Sequence, residues 1–417
     1  MASFGALGRA LSHRDSRIFF GGSMVAWTGL WMQRIAVSWL AWELTGSAFW
    51  VGVVAFCDLA PAVFVSPVAG AVADRVDRVR LATWTQIAIA CQAAAVAGIT
   101  ASGHMTIGIL LVLEVLSGVA GSFAQPARQT LMPGIVPRSD LPAAVAANSL
   151  VFAVARFVGP ALAGPIIAVF GVVPAIAANA VGYLVAGLSV LLLRVDARER
   201  RGHAASASLG GEVVEGLRYA WRHPGLGPLL LYAALGAILL RGVQEVLPPF
   251  VERLFGRGVE SLAVLTACFG VGALAGGLWV ASRGRLEGTT RIAVLAALVQ
   301  AAATAGFVAT PWFAVGMVCA ALIGATASMH GISAQTLIQS AAEPALRGRM
   351  LSTWGLITRA CPALGALALG ATGEAFGLRL PTLLAGVLFL GVFAWGWGKL
   401  RRMEEELEGS SSTAANR

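Results

Sequence analysis

Gly70-Ala-Val-Ala-Asp74-Arg75-Val-Asp77-Arg78-Val-Arg80 crowds five charged side chains between two apolar runs, residues 50–72 and 81–100. A helix crossing the hydrocarbon core of a bilayer needs about 20 mainly apolar residues, and each run supplies them. Two such runs joined by a short charged stretch read as a helical hairpin with its turn at one membrane surface. Working outward, the pattern recurs near 18–42, 106–122, 143–170, 173–193, 226–248, 261–281, 292–309, 312–332, 350–370 and 381–397, making twelve spans in all. Strands of a membrane barrel would be shorter and would alternate apolar with polar residues; these runs of Ala, Leu, Gly and Val do not. The fold class is therefore an all-α membrane protein. Composition agrees, with 57% of the 417 residues hydrophobic and 12% charged, against about 25% charged in soluble domains.

Charge placement orients the spans. Cytoplasmic loops of membrane proteins carry the excess of Lys and Arg. Taking residues 1–17 as cytoplasmic, 23 of the 30 Lys and Arg fall in alternate segments on that side, and only Arg253, Arg257 and Arg379 fall in the others. The remaining four, Arg34, Arg156, Arg241 and Arg359, lie inside spans. Both termini are expected in the cytoplasm, and the net charge of +9 is accounted for without nucleic acid. Residues 1–17 are polar and basic, and the first apolar run is longer than a signal-peptide core, so it is expected to remain as the first span. The five cysteines, each inside an apolar run and without a CxxC, read as small core residues and not as a metal site or disulfide framework.

The second half echoes the first. Gly29-Leu-Trp-Met-Gln-Arg34 returns 207 residues later as Gly236-Ala-Ile-Leu-Leu-Arg241, and Gly70 returns as Gly277 at the same offset. Gln129-Thr130-Leu131 returns as Gln335-Thr336-Leu337, and Arg156 before its Gly-Pro-Ala-Leu as Arg359 before Ala-Cys-Pro-Ala-Leu. A six-helix unit used twice is typical of secondary transporters, whose substrate site lies between repeats near the midplane. The expected organisation is a cytoplasmic N-terminus (1–17), an N-terminal six-helix bundle (18–193), a linker (194–225), a C-terminal bundle (226–402) and a solvated or disordered acidic tail (403–417). Within the linker, Val213, Leu217 and Trp221 share one face of a short helix over 212–221, suited to the membrane surface or to a solvated connection.

Ionisable groups inside spans cost several kcal/mol in lipid, about 2.5–3.5 on the mildest scale, so each needs a reason. Arg34 and Asp58 are symmetric about Gly46 in the first hairpin. They share a depth roughly 12 Å below the outer surface at the helical rise and can pair. That pair is either a static brace between the first two spans or a proton site, Asp58 exchanging its proton when it separates from Arg34. Glu114 sits mid-span in the fourth helix with no charge near it in sequence. Arg156 and Arg359 occupy equivalent places just before prolines. Their repetition suggests packing between the bundles, with Gly159 and Gly164 permitting close backbone approach and Pro160 breaking the local hydrogen bonding.

The loop from Gly70 resembles the G-x-x-x-D-R-x-x-R signature of the major facilitator superfamily. Its second-half copy, Gly277 to Arg285, has Ala281 where the first has Asp74. Gly159-Pro160-Ala-Leu-Ala-Gly164-Pro165 resembles that superfamily's exporter signature, with Ala163 replacing the first Gly of the closing pair. Gln125-Pro126-Ala127, Met132-Pro133, Asn148-Ser149-Leu150 and Leu346-Arg347-Gly348-Arg349-Met350-Leu-Ser352 resemble the branch of bacterial enterobactin and macrolide exporters. The resemblance implies the major facilitator fold, twelve transmembrane helices as two pseudo-symmetric six-helix bundles. It implies a gating motif of Gly70, Asp74, Arg75 and Arg78, in which Asp74 pins the halves together on the inner side. It also implies that the first, fourth, seventh and tenth spans line a cavity. That places Glu114 there beside Arg34, Gln33, Arg241, Gln244 and His330, a residue whose ordinary titration range spans neutrality.

Glu114 and Asp58 are thus the proton-coupling candidates. The function implied is proton-coupled export of a small amphiphilic molecule, drug-like or siderophore-like, by a monomer in the bacterial inner membrane. An importer or lipid flippase would use a similar cavity. No cofactor, metal or nucleic acid is expected. HExxH, Gly-x-Ser-x-Gly and the phosphate-cradling Gly-x-x-x-x-Gly-Lys-Ser/Thr are all absent from the sequence, which argues against an enzyme or a nucleotide-driven pump.

Overall fold

The structure is a computed structural model that describes Gly8 and residues 12–194, 218–343 and 346–409. The chain runs as α1 (Arg14–Thr45), α2 (Ala48–Leu59), α3 (Pro61–Arg75), α4 (Arg78–Ala101), α5 (Ile107–Leu131), α6 (Leu141–Phe170) and α7 (Val172–Leu191). It resumes as α8 (Leu226–Leu240), α9 (Gly242–Glu245), α10 (Leu247–Phe255), α11 (Val259–Arg283), α12 (Thr289–Ala309), α13 (Phe313–Ala341), α14 (Arg347–Phe376), α15 (Arg379–Gly398) and α16 (Leu400–Glu408). Among the described residues, ten helices are long and apolar enough to cross a membrane. The other two expected spans are present but less uniform. The first, α1, is diluted by Ser23, Thr28, Gln33, Arg34 and Ser38. The seventh is broken into α8, α9 and α10, where Leu247-Pro248-Pro249 opens a new helix after Val246 leaves helical geometry. Prolines are tolerated in that first turn because its N–H groups have no intrahelical acceptor.

Several helices outrun their apolar stretches. The fourth span continues to Leu131 with Pro126 inside it, and the tenth continues to Ala341. Arg128, which sequence places in the loop after the fourth span, is therefore inside α5 and buried. It donates to Ser23 Oγ at 2.6 Å, and its guanidinium lies 4.4 Å from the Trp27 ring centroid.

Packing divides the chain into two compact units. The first comprises Met1–Thr45, Cys57–Ser206 and Val259–Ala263. Its α1 and α7 lie close because glycines face backbone: a Cβ on Gly29 would sit 2.7 Å from Asn179 Cα, and one on Gly182 would sit 2.9 Å from Val25 O. Phe19, Phe20, Val79, Leu131, Met132, Ile135 and Val136 form a buried cluster where the chain turns from α5 into α6.

The second unit comprises Gly46–Phe56, Ala207–Gly258 and Val264–Arg417. The segment from Gly46 joins it through α14: the Glu374 carboxylate accepts from Ala48 N at 2.9 Å and lies 3.7 Å from Arg253, which donates to Gly46 O. In α11 and α13, Gly272 and Gly276 face the Ala321 and Ala325 carbonyls, and Gly324 faces Phe269 O. This is a small-residue seam of the kind that lets membrane helices approach closely.

The expected disorder from Met403 is corrected for its first part. Residues Leu400, Met403 and Leu407 share one face of α16 and are buried, Met403 and Leu407 against Leu226, Leu229, Leu337 and Met350 and Leu400 in a cluster with Tyr232, Val294 and Phe389. The polar face is spent on neighbours as well. Glu408 accepts from Gly288 N and Thr290 N at 2.7 and 2.8 Å, capping α12, and Glu404 pairs with Arg291 at 2.7 Å. The proposed linker helix over 212–221 lies mostly outside the described residues; only 218–222 are described, and they are helical.

Candidate functional site

The first unit gathers most of the charges found inside spans. Gly46, with φ +58°, turns α1 into α2. The two helices then bring Arg34 and Asp58 together, with Arg34 Nη2 donating to Asp58 Oδ2 at 3.2 Å. The pair is partly accessible, at 32% and 27% side-chain exposure. Trp31, one turn before Arg34, takes two guanidiniums on its ring: Arg34 at 5.4 Å and Arg156 of α6 at 5.2 Å from the centroid. Cation–π contacts of this kind contribute about 0.5–2 kcal/mol.

Deeper in the unit, a chain of amides leads to Glu114. Asn179 of α7 donates from Nδ2 to Gln33 Oε1 at 2.7 Å. Gln33 then donates from Nε2 to Gln92 Oε1 at 3.3 Å. Gln92 of α4 donates to Leu113 O at 3.2 Å and to Glu114 Oε1 at 3.4 Å. All four side chains are buried. Each amide nitrogen donates to the next side chain's oxygen, so the chain has one direction and ends on the carboxylate. Asp58 and Arg34 are within Coulombic range of Glu114. One turn along α5, Gly118 lets the backbone of Asp58 approach so closely that a Cβ there would overlap Asp58 O. Gln92 and Asn179 were not singled out from sequence. The only trace they leave is a polar amide in an otherwise apolar helix.

A Cβ on Gly159 would meet Trp31 Cβ at 2.5 Å and Thr28 O at 2.8 Å, both within the first unit. Gly164 faces Ala263 Cβ, also at 2.5 Å. Pro160 is buried within α6, which runs on past it. In the gating motif, Gly70 lies in α3 and Arg75 is exposed at its end. Nothing is described of the Asp74 side chain. Arg78 donates to Thr130 O at 3.2 Å, near the end of α5, and Asp77 accepts from Arg80 N at 2.9 Å as the N-cap of α4.

The second unit holds Arg241, Gln244, His330 and Arg359. Arg241 ends α8 at the break in the seventh span, and the Gln244 amide nitrogen is buried without a hydrogen-bond acceptor. His330 Nδ1 lies 2.8 Å from Ala293 O. A carbonyl only accepts, so Nδ1 carries the proton. Among the described residues, no cluster of His, Cys, Asp and Glu has a metal-binding arrangement.

Among the described residues, ten helices of bilayer length, a seam of small residues and intramembrane carboxylates held by polar side chains describe a transporter. A family model described as transmembrane secretion effector matches residues 9–416. The chain belongs to that family.

Its relatives include the staphyloferrin A transporter of Staphylococcus aureus, 30% identical over 179 residues, 43% of this chain and 45% of that one. The alignment thus spans under half of that relative. The multidrug efflux pump Tap of Mycolicibacterium fortuitum is 26% identical over 92% of this chain and 95% of its own length. Macrolide efflux protein A of Streptococcus pyogenes is 21% identical over 86% of this chain and 89% of its own. The resemblance to macrolide exporters is borne out. Among solved structures, a bacterial homologue of the human lysosomal transporter Spinster, inward-facing and unoccupied, superposes with a TM-score of 0.70 at 17% identity. It covers 94% of this chain and 98% of its own, which establishes the major facilitator fold. The protein is a multi-pass membrane transporter and not an enzyme.

Proposed function

We propose that this transporter exports a small amphiphilic molecule from the bacterial cytoplasm in exchange for protons, with both termini cytoplasmic and Glu114 as the principal proton carrier. The observation that carries this is the setting of Glu114, buried in the first unit and held by an amide. Arg34 is already paired with Asp58 at 3.2 Å. Glu114 lies in Coulombic range of both and is bound by neutral amide N–H alone among the hydrogen bonds described. A buried carboxylate held by a neutral amide, with Arg34 already committed to another carboxylate, carries a charge that is costly in a low-dielectric interior. A proton removes that cost. Asp58 is the second carrier, released for protonation when Arg34 moves away. Alternating exposure of the site to the two membrane faces then couples proton entry to solute exit.

The names of its relatives, a staphyloferrin A transporter, a multidrug efflux pump and a macrolide efflux protein, support export and a broad class of amphiphilic cargo. The test is accumulation of labelled erythromycin, ethidium and 1-naphthoate in inside-out vesicles from cells producing the protein, with and without an interior-acid pH gradient. Gradient-dependent accumulation of at least one compound is expected. Glu114→Gln and Asp58→Asn should each abolish it while the membrane level of the protein is unchanged. Accumulation that ignores the gradient would remove the exchange, and full activity in both variants would remove these two carriers.

A further inference from the structure

The second unit contains a cavity walled by α8, α12, α13 and α14, in which two of the cavity candidates, Arg241 and His330, meet Gln300. It has about 490 Å³ of space not filled by protein atoms, open solvent at its mouth included. Leu240, Ala297, Trp354 and Ile357 supply an apolar wall, while Arg241, Gln300, His330, Thr358 and Tyr232 supply the polar atoms. Among the described residues, no acidic side chain lines it.

Most of the polar atoms are already committed. Tyr232 Oη donates to Val294 O at 2.9 Å, Thr358 Oγ1 to Gly355 O at 3.1 Å, and His330 Nδ1 to Ala293 O at 2.8 Å. Gln300 differs. It is 4% exposed, and its amide nitrogen has no acceptor. A buried donor left without an acceptor costs about 1–3 kcal/mol, so its retention in the cavity wall asks for an acceptor from outside the chain. Arg241 adds a permanent positive charge to the same lining.

We propose that this cavity receives the acidic head of the exported molecule, a carboxylate accepting from the Gln300 amide and facing Arg241, with its apolar body against Trp354 and Ile357. The assignment rests on the export reading for the identity of the occupant and makes the cargo an organic acid. Gln300 is on α12, the ninth span, outside the helices that the family pattern assigns to the cavity lining, and it sets the preference for charge sign.

The experiment is calorimetric binding of 1-naphthoate, 1-naphthamide and 1-naphthylmethylammonium to the purified full chain in phosphatidylcholine nanodiscs. The three share one ring system and differ in head charge. Naphthoate is expected to bind roughly tenfold or more tightly than the ammonium, because like charges brought together in a desolvated site repel strongly. Gln300→Leu is expected to weaken naphthoate severalfold and to melt no lower than the unmutated protein, since it removes an unsatisfied donor. Gln300→Glu should reverse the preference. Equal affinities for the three probes, or naphthoate binding unaffected by Gln300→Leu in a folded sample, overturn the assignment.

An anionic lipid head offers the same chemistry, and nanodiscs of phosphatidylglycerol separate the two sources. Unchanged naphthoate affinity supports a solute site, whereas a tenfold loss gives the cavity to lipid and contradicts the proposal. Binding requires no transport, so a charge preference without gradient-driven accumulation would count against export and not against this cavity.

Discussion

Glu114 depends on side chains from helices far apart in sequence. Gln92 is the hinge of that arrangement: it donates to the carboxylate and accepts from Gln33, which is held in turn by Asn179. Gln92→Leu leaves the Gln33 amide nitrogen without its acceptor, and a buried orphan of that kind costs about 1–3 kcal/mol. Thermal unfolding in detergent should therefore show Gln92→Leu several degrees below the unmutated protein; an unchanged midpoint would mean that the amide chain carries no stability. Glu114, Asp58 and Arg34 were legible from sequence because a charge in an apolar span has no cheap explanation. Gln92, Asn179 and Gln300 were not. An amide costs far less to bury, so a glutamine in a span carries little signal until its partners, or their absence, are seen in three dimensions.

At the scale of elements, the start of α8 holds a pH-sensitive cap. His223 Nδ1 accepts from Gly225 N at 3.1 Å and from Leu226 N at 3.2 Å, which requires that nitrogen to be unprotonated. Burial lowers the His223 pKa below its ordinary 6.5, and the nearby carboxylates Glu406 and Glu343 oppose this. A depressed value means the folded state binds fewer protons than the unfolded chain. The cap's stabilisation is therefore fully present above about pH 6.5 and is lost as the pH falls through the folded value. Melting temperature should fall between pH 7.5 and 5.5 more steeply for the unmutated protein than for His223→Asn, which keeps a capping acceptor without titrating. Parallel curves would exclude the cap.

The seam between α11 and α13 makes a second claim at this scale. Gly272 has the Ala321 carbonyl where a side chain would go, so Gly272→Val should lower the melting midpoint sharply, whereas Gly108→Val, at a position with open space around it, should not. The spans themselves were legible because apolar runs of bilayer length have one interpretation. The tail from Met403 was misjudged because its glutamates dominate the composition. The spacing of Leu400, Met403 and Leu407 was the overlooked sign of an amphipathic turn, and Glu404 and Glu408 are partners of Arg291 and the α12 N-terminus instead of solvated charges. Likewise the break in the seventh span follows from Pro248 and Pro249, whose effect depends on where the preceding helix stops.

For the whole molecule, the duplicated pattern and the loop signature led from sequence to the correct fold and family. Cargo did not follow in the same way. It is set by which side chains meet inside each unit, and those meetings join residues as distant in sequence as Gln33 and Asn179 or Tyr232 and Val294. The burial of the Glu114 carboxylate against a neutral amide is the feature on which the proposed proton exchange rests. Its most direct test is proton countermovement in proteoliposomes loaded with the pH dye pyranine, on addition of whichever compound the vesicle panel shows to be carried. The unmutated protein should move protons opposite to the compound, and Glu114→Gln should bind the compound yet move none. Undiminished proton movement through Glu114→Gln would contradict the assignment of the proton to this carboxylate.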